Sequence, residues 1–253
     1  MAGALGRMGQ AIVQATLAQP GALLASAWER AGHGGVGVPH PLAPSVVVAA
    51  APEGDLDVLI DFTAPSALAG HLTAARALGT ALVVGTTGLE PEHHRLIDEA
   101  AAHIAVLQAA NTSVGVNVLL ALVESATRLL GPAFDPEITE IHHGKKKDAP
   151  SGTAVELARR VERVRPELRR VTGRDGLIGE RQPDELGVLA LRGGDVVGEH
   201  TVFYFGRGER LELTHRATDR GIFAQGAVRA AMWLAGRPAG RYGMAEALGV
   251  TGA

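Results

Sequence analysis

The chain opens "MAGALGRMGQAIVQ" (Met1–Gln14), in which Gly3, Gly6 and Gly9 recur every third residue and lead into an apolar-periodic stretch. Glycines so placed suit a tight turn that opens a helix and brings backbone amides close to a phosphate. The spacing departs from the commoner Gly-x-Gly-x-x-Gly, so taken alone it also fits the flexible start of a helix. A dinucleotide-binding turn hangs from the end of a β-strand, and here only Met1 and Ala2 precede it. The sequence therefore predicts a truncated first strand, with backbone partners lost from both neighbours in the sheet, so that either the native protein begins further upstream or this chain binds its cofactor weakly.

What lies downstream favours the cofactor reading. "GALLASAW" (Gly21–Trp28) has the texture of a strand, and Glu29 follows it about twenty residues after the turn, where a ribose-binding acid belongs. Arg30 beside it suits a 2′-phosphate, so NADH and NADPH are both chemically reasonable. Further short apolar runs, "SVVVAA", "DVLIDF", "TALVVGTT" and "HIAVLQAAN", alternate with helical patterns at 65–78 and 91–102, each opened by proline. That alternation predicts a parallel sheet covered on both faces. The glycine- and proline-rich segment 31–44 reads as a loop. Ligands bind outside the carboxyl ends of such strands, where "GTTG" (85–88) and "AANTS" (109–113) fall.

The texture changes after Asn111. A helical stretch (114–131) precedes "PEITEIHHG", which alternates at strand period, and a helix starts near Ser151. Three strand-like runs follow at 185–194, 196–206 and 210–217, with "GGD" and "GRGE" as hairpin turns. The helical segment 221–236 reads as a return to the first domain. The predicted class is thus α/β: a Rossmann-like parallel sheet domain (1–113 plus 221–253) with an inserted α+β mixed-sheet domain (114–220).

Composition narrows the function. With 46% hydrophobic and 20% charged residues the 253-residue chain is of globular composition. No uninterrupted apolar stretch reaches a membrane span, and no secretory signal is visible, so a cytoplasmic address is the default. Zero cysteines exclude disulfides and thiolate chemistry. A net charge of −3 gives no global field towards nucleic acid or anionic lipid.

Local charge concentrates in "EIHHGKKKDAPSGTAVE" (Glu140–Glu156). On a strand His142 and His143 point to opposite faces and make a poor chelate, so no metal site is predicted. Thr153 and Glu156 have the spacing of a capping box at a helix start. Unpaired amides there, with the lysines beside them, suit a carboxylate or phosphate. Taken on charge alone, a triple lysine is ordinarily a solvated loop and Ser-Gly-Thr an ordinary cap.

With these residues assembled, "GALGRMG", "WERAG", "DFTAP", "VVGTTG", "AANTSVGVN", "HHGKKKDAPSGTA", "GDVVGEHTVF" and "ERLELTHRA" occur in order. Together they closely resemble the bacterial 4-hydroxy-tetrahydrodipicolinate reductases, formerly dihydrodipicolinate reductases, of the diaminopimelate route to lysine. The resemblance implies a nucleotide-binding domain, a domain for a small dicarboxylate substrate, and a homotetramer built through the substrate-domain sheets. It implies that His142 gives or takes a proton and that Lys146 is the catalytic lysine, flanked by Lys145 and Lys147. It places His143, Gly152 and Thr153 at the substrate's carboxylate end. For NADH or NADPH it implies contacts from Gly3, Ala4, Leu5, Gly6, Arg7 and Met8, and from Glu29 and Arg30. Gly85, Thr86 and Thr87 complete one further contact, and Ala109, Ala110, Asn111 and Thr112 another. Two rival readings explain less. Another Rossmann oxidoreductase of amino-acid metabolism accounts for the turn and Glu29 but not the lysine pocket. A catalytically weak or silent nucleotide-binding homologue accounts for the short N-terminus.

Overall fold

A computed structural model describes residues 1–250. The glycine turn leads into α1 (Arg7–Ala18), and β1 (Ala27–Trp28), β2 (Pro39–His40) and β3 (Ala43–Ala49) follow. Next come β4 (Val58–Asp61), α2 (Leu68–Leu78), β5 (Ala81–Val84), α3 (Pro91–Ala101) and β6 (Ala105–Gln108). The chain continues through α4 (Val114–Leu130), β7 (Asp135–His142), α5 (Gly152–Val164), β8 (Arg169–Val171) and β9 (Glu185–Arg192). It then runs through β10 (Gly198–Gly206), β11 (Glu209–Ala217), α6 (Gly221–Leu234), β12 (Gly240–Tyr242) and α7 (Met244–Leu248). Two compact units result, Met1–Val114 with Gly221–Gly249, and Gly115–Arg220.

In the first unit the strands run β2-β3-β1 and β4-β5-β6-β12, parallel except for β2 against β3. The slot between β1 and β4 is filled by Met1 and Ala2, for Ala2 forms parallel bridges with both Trp28 and Asp61. The Ala2 amide donates to Ile60 O at 3.0 Å, and Met1 O accepts from the Trp28 amide at 3.0 Å. The expected loss of partners from both neighbours is corrected here: two residues serve both. β5 and β6 are buried on both faces, as a parallel sheet between helices requires. Ile12 and Val13 of α1 and Ala224, Ala227 and Val228 of α6 pack in one cluster. Each fully buried aliphatic side chain stabilises by roughly 1.5–3 kcal/mol, so the returning helix is part of this core.

The second unit is a five-stranded mixed sheet in the order β11-β10-β7-β9-β8. Its core face carries Ile138, Leu186, Val188, Val202 and Tyr204 against Leu119 and Val123 of α4 and Leu157 and Val161 of α5. The 3.6-residue repeat of α5 meets the two-residue repeat of the strands, which is why the apolar positions at those spacings share one core.

Several sequence expectations need correction. The Gly21–Trp28 run is extended β-ladder only at Ala27–Trp28. The 31–44 loop contains β2, which folds back antiparallel on β3. "GGD" does not close a hairpin, because β7 lies between β9 and β10; "GRGE" does join paired neighbours. The segment Val114–Ala133 is long and apolar enough to span a membrane by composition, with mean hydropathy 1.4. Its Val116, Leu119, Leu120 and Val123 are spent on the core of the second unit.

Candidate functional site

In the first unit the turn is held from every side. Gly3 sits at φ +60°, a left-handed conformation that favours glycine. A Cβ on Gly9 would collide with the Gly3 carbonyl and the Ala4 backbone, so α1 can start this close to the turn only without a side chain there. The Ala4 amide donates to Trp28 O (3.3 Å) and the Gly6 amide to Gly3 O (3.0 Å). Glu29 accepts the Leu5 amide at 3.0 Å. Gln10 Nε2 donates to Leu5 O at 2.9 Å. His40, which the sequence reading missed, is fully buried and lies 3.2 Å from Ala4 O through Nε2. Its Nδ1 accepts the Leu42 amide, so Nε2 carries the proton and donates.

Gly6 is the N-cap of α1 and supplies no side-chain cap. The first amides of the helix are therefore without a side-chain cap and suit an anion, with the helix dipole behind them. Those observations fit a dinucleotide diphosphate, with Glu29 beside the turn for a ribose and exposed Arg30 next to it.

Several of the other predicted cofactor contacts are also tied into the scaffold. Ala4 is fully buried and offers only backbone. A Cβ on Gly85 would run into the Phe62 ring. Thr86 is buried: its hydroxyl donates to Asp61 (3.2 Å) and accepts the Thr63 amide (3.1 Å). Thr112 is buried and donates to Phe223 O at 2.6 Å, tying the loop after β6 to α6. Asp61 collects Thr63 and Thr86 donors and lies 3.1 Å from His71 Nδ1. Burial alone would raise its carboxyl, but His71 and Thr63 outweigh burial and hold it below the usual carboxylate value. Thr87 and Ala110 are exposed at the strand ends, and Asn111 Oδ1 accepts the Ser113 amide at 2.9 Å.

In the second unit the core face turns polar at one end. Ile138 gives way to Glu140 and His142 on β7, Val188 to Arg192 on β9, and Val202 to His200 on β10, with cross-strand partners in step. Glu140 accepts His142 Nδ1 at 2.6 Å, the Ser151 amide at 3.0 Å, and both Arg192 amino groups at 2.8 and 2.7 Å. The His142 and His200 rings meet edge to face at 5.2 Å. His200 Nε2 is 2.9 Å from Ser151 Oγ. Burial drives the His142 ring below its ordinary value, opposed by Glu140 and assisted by Lys146 and Arg192. His200, more deeply placed, is pushed down to about 4, first by burial and then by His142.

β7 ends at His142, so His143 begins the following loop with its amide on Val196 O at 2.8 Å. His143 Nε2 lies 3.3 Å from Arg220 Nη2, and its Nδ1 is buried without a hydrogen-bond partner. Of the three lysines, Lys145 and Lys147 are exposed while Lys146 is folded inward, its Nζ 2.9 Å from Asp148. The cap of α5 is Ser151, whose Oγ accepts the Ala154 amide at 3.2 Å. That corrects the Thr153–Glu156 box: Glu156 turns along the helix to Arg160 and Arg159. Gly152 is exposed, and a Cβ there would meet nothing within 4 Å.

Glu140, Arg192, His200 and Arg220 were not singled out from sequence. The period-two pair Glu140–His142 was the signal available for the first; the others come from strands or loops far along the chain.

Two family models match the chain: dihydrodipicolinate reductase, N-terminus, over residues 1–112, and dihydrodipicolinate reductase, C-terminus, over residues 115–248. The 4-hydroxy-tetrahydrodipicolinate reductase of Anaeromyxobacter dehalogenans (strain 2CP-1) is 49% identical, over 99% of this chain and 97% of that one. The enzyme of the same name from Anaeromyxobacter sp. (strain Fw109-5) is 51% identical with the same coverage. Among solved structures, a dipicolinate-bound dihydrodipicolinate reductase from Paenisporosarcina sp. TG-14 superposes with TM-score 0.75, at 22% identity over 97% of this chain and 96% of that one. GenD2 from gentamicin A biosynthesis, in complex with NAD, has TM-score 0.59 at 15% identity over 98% and 89% of the two chains.

Proposed function

The chain belongs to the dihydrodipicolinate reductase family, and on that premise we propose how its residues divide the work. The reaction is the NAD(P)H-dependent reduction of 4-hydroxy-tetrahydrodipicolinate to tetrahydrodipicolinate, a step of diaminopimelate and lysine biosynthesis. The nicotinamide nucleotide, when bound, supplies the hydride. The uncapped start of α1 at Arg7 and Met8 holds its diphosphate, Glu29 orients a ribose, and Arg30 meets a 2′-phosphate where one is present.

The substrate is a small dicarboxylate. Gly152 and Thr153, at the start of α5, receive one carboxylate through backbone amides, with His143 and Arg220 beside it supplying donors. The 4-hydroxyl leaves as water, hydride adds at a ring carbon, and the electron-rich enamine that results needs a proton, which Lys146 or His142 delivers. The observation that carries this reading is the placement of Lys146, the one lysine of the three turned in from solvent. A homotetramer belongs to the same proposal. Both helices of the second unit cover one face of its sheet, and Leu191, Phe203 and Phe205 stand on the other. A cytoplasmic address is part of it as well.

The test is Lys146→Ala. Turnover should fall roughly 1,000-fold, while the NADPH dissociation constant stays within about twofold. Unchanged turnover overturns the assignment.

A further inference from the structure

Glu140 is fully buried, and all of its acceptor capacity is used. Oε2 takes His142 Nδ1 and Arg192 Nη1; Oε1 takes the Ser151 amide and Arg192 Nη2. A carboxylate this deep persists only because it is paired and hydrogen-bonded. With four donors already in place it has nothing left for a substrate. Its partners, however, are the two features on which the reaction depends.

We propose that Glu140 is a positioning residue that locks the proton-transfer histidine and the anion-binding helix start to one another. The proposal rests on the reading of His142 and of the α5 N-terminus given above. An ionised carboxylate only accepts, so the 2.6 Å contact fixes the proton of neutral His142 on Nδ1. Nε2 is then the nitrogen that takes and gives a proton. Gly198 keeps that side open, since a Cβ there would stand 2.9 Å from Nε2. The other oxygen of Glu140 holds the Ser151 amide, the residue that caps α5, and so sets where Gly152 and Thr153 stand. His200 braces the same joint from β10, touching the His142 ring and Ser151 Oγ together. The charged or titratable groups facing His142 are Glu140, Lys146, Arg192 and His200, the last neutral because burial holds it at about 4. Glu140 raises the His142 ring and the two cations lower it.

The experiment compares Glu140→Gln, His142→Gln and the double variant by steady-state kinetics across pH, with ¹⁵N spectra of the His142 ring. Glu140→Gln should lower kcat about 100-fold and leave the KM for NADPH unchanged. It should also move the His142 limb of the kcat profile to lower pH and mix the two neutral tautomers. The double variant should have the kcat of His142→Gln alone, because Glu140 reaches the proton transfer through His142, while its hold on the α5 start shows only in the KM for substrate. Retention of the parent limb and tautomer in Glu140→Gln overturns the proposal, and so do multiplicative losses in the double variant. Full turnover in His142→Gln overturns instead the reading beneath it, and is recognised by that variant alone. Should Glu140→Gln not fold, Arg192→Met decides. It removes a cation that lowers the ring, so the limb should move to higher pH, and an unmoved limb overturns the proposal.

Discussion

The two regions proposed to hold ligands are built on opposite plans. In the first unit polar side chains look inward: Thr63 and Thr86 donate to Asp61, His71 lies 3.1 Å from the same carboxylate, His40 holds a carbonyl, and the turn itself offers backbone amides. In the second unit the backbone is paired within the sheet, and Glu140, His142, Lys146 and Arg192 gather at one end of it. A nucleotide shared by many enzymes is gripped by shape, which tolerates no added atoms. A reaction that moves a proton is served by charge, which tolerates no change in ionisation. Steric substitutions should therefore damage the first region and pH the second.

Gly9→Ala tests the first half of that contrast most severely. The added methyl has backbone, not a flexible side chain, in its way. NADPH affinity should fall by about 100-fold or the turn should rebuild at a comparable cost, while the KM for the dicarboxylate substrate, measured at saturating NADPH, should stay unchanged. Loss of both would show that the two regions are not separable. Next in size is an acid-side loss of stability centred on His200. The unfolded chain protonates this histidine near 6.5 and the folded protein only at about 4. Between those values the unfolded state binds more protons, so stability falls as pH drops through the window. Melting temperatures from pH 7 to 4 should decline more steeply for the parent than for His200→Gln, and parallel curves would contradict the neutral, buried ring.

Ser151→Ala removes the α5 cap and should cost about 1 kcal/mol with a raised KM for substrate, read by denaturant melts and kinetics together. The smallest effect belongs to Tyr204→Phe, on the same core face but among its apolar neighbours. Its hydroxyl donates to Val123 O at 2.9 Å and contacts Thr127 at 2.7 Å. Stability should drop by about 1 kcal/mol, with kcat and both KM values unmoved.

Much of this plan was legible in the sequence because it is local. The turn announces itself through Gly3, Gly6 and Gly9, the parallel strands through short β-branched runs, and the α5 pocket through "DAPSGTA". What could not be read is what depends on who lies beside whom. β9 and β10 follow one another along the chain, yet β7 separates them, and only that interposition carries Arg192 and His200 to either side of Glu140. The cap was misplaced by two residues because Ser151 and Thr153 are chemically equivalent candidates; the direction of the Ser151 hydroxyl decided between them. His40 was hidden inside a segment read as loop, where no periodicity marks a buried residue. β8, β12 and α7 span three to five residues each, too short for any period to show.

The tie between Thr112 and α6 has a consequence for how the polypeptide is threaded. Thr112 donates to Phe223 O, and Gly226 packs so tightly on the Thr112 carbonyl that a methyl there would overlap it. The residues where the chain leaves the first unit and where it re-enters are thus fastened together within that unit. An insertion whose two ends share one anchor behaves as a cassette: closing the gap over a few residues costs little loop entropy. Replacing 115–220 by a short glycine–serine linker should leave the parallel sheet, with its glycine turn, able to fold and bind nucleotide on its own.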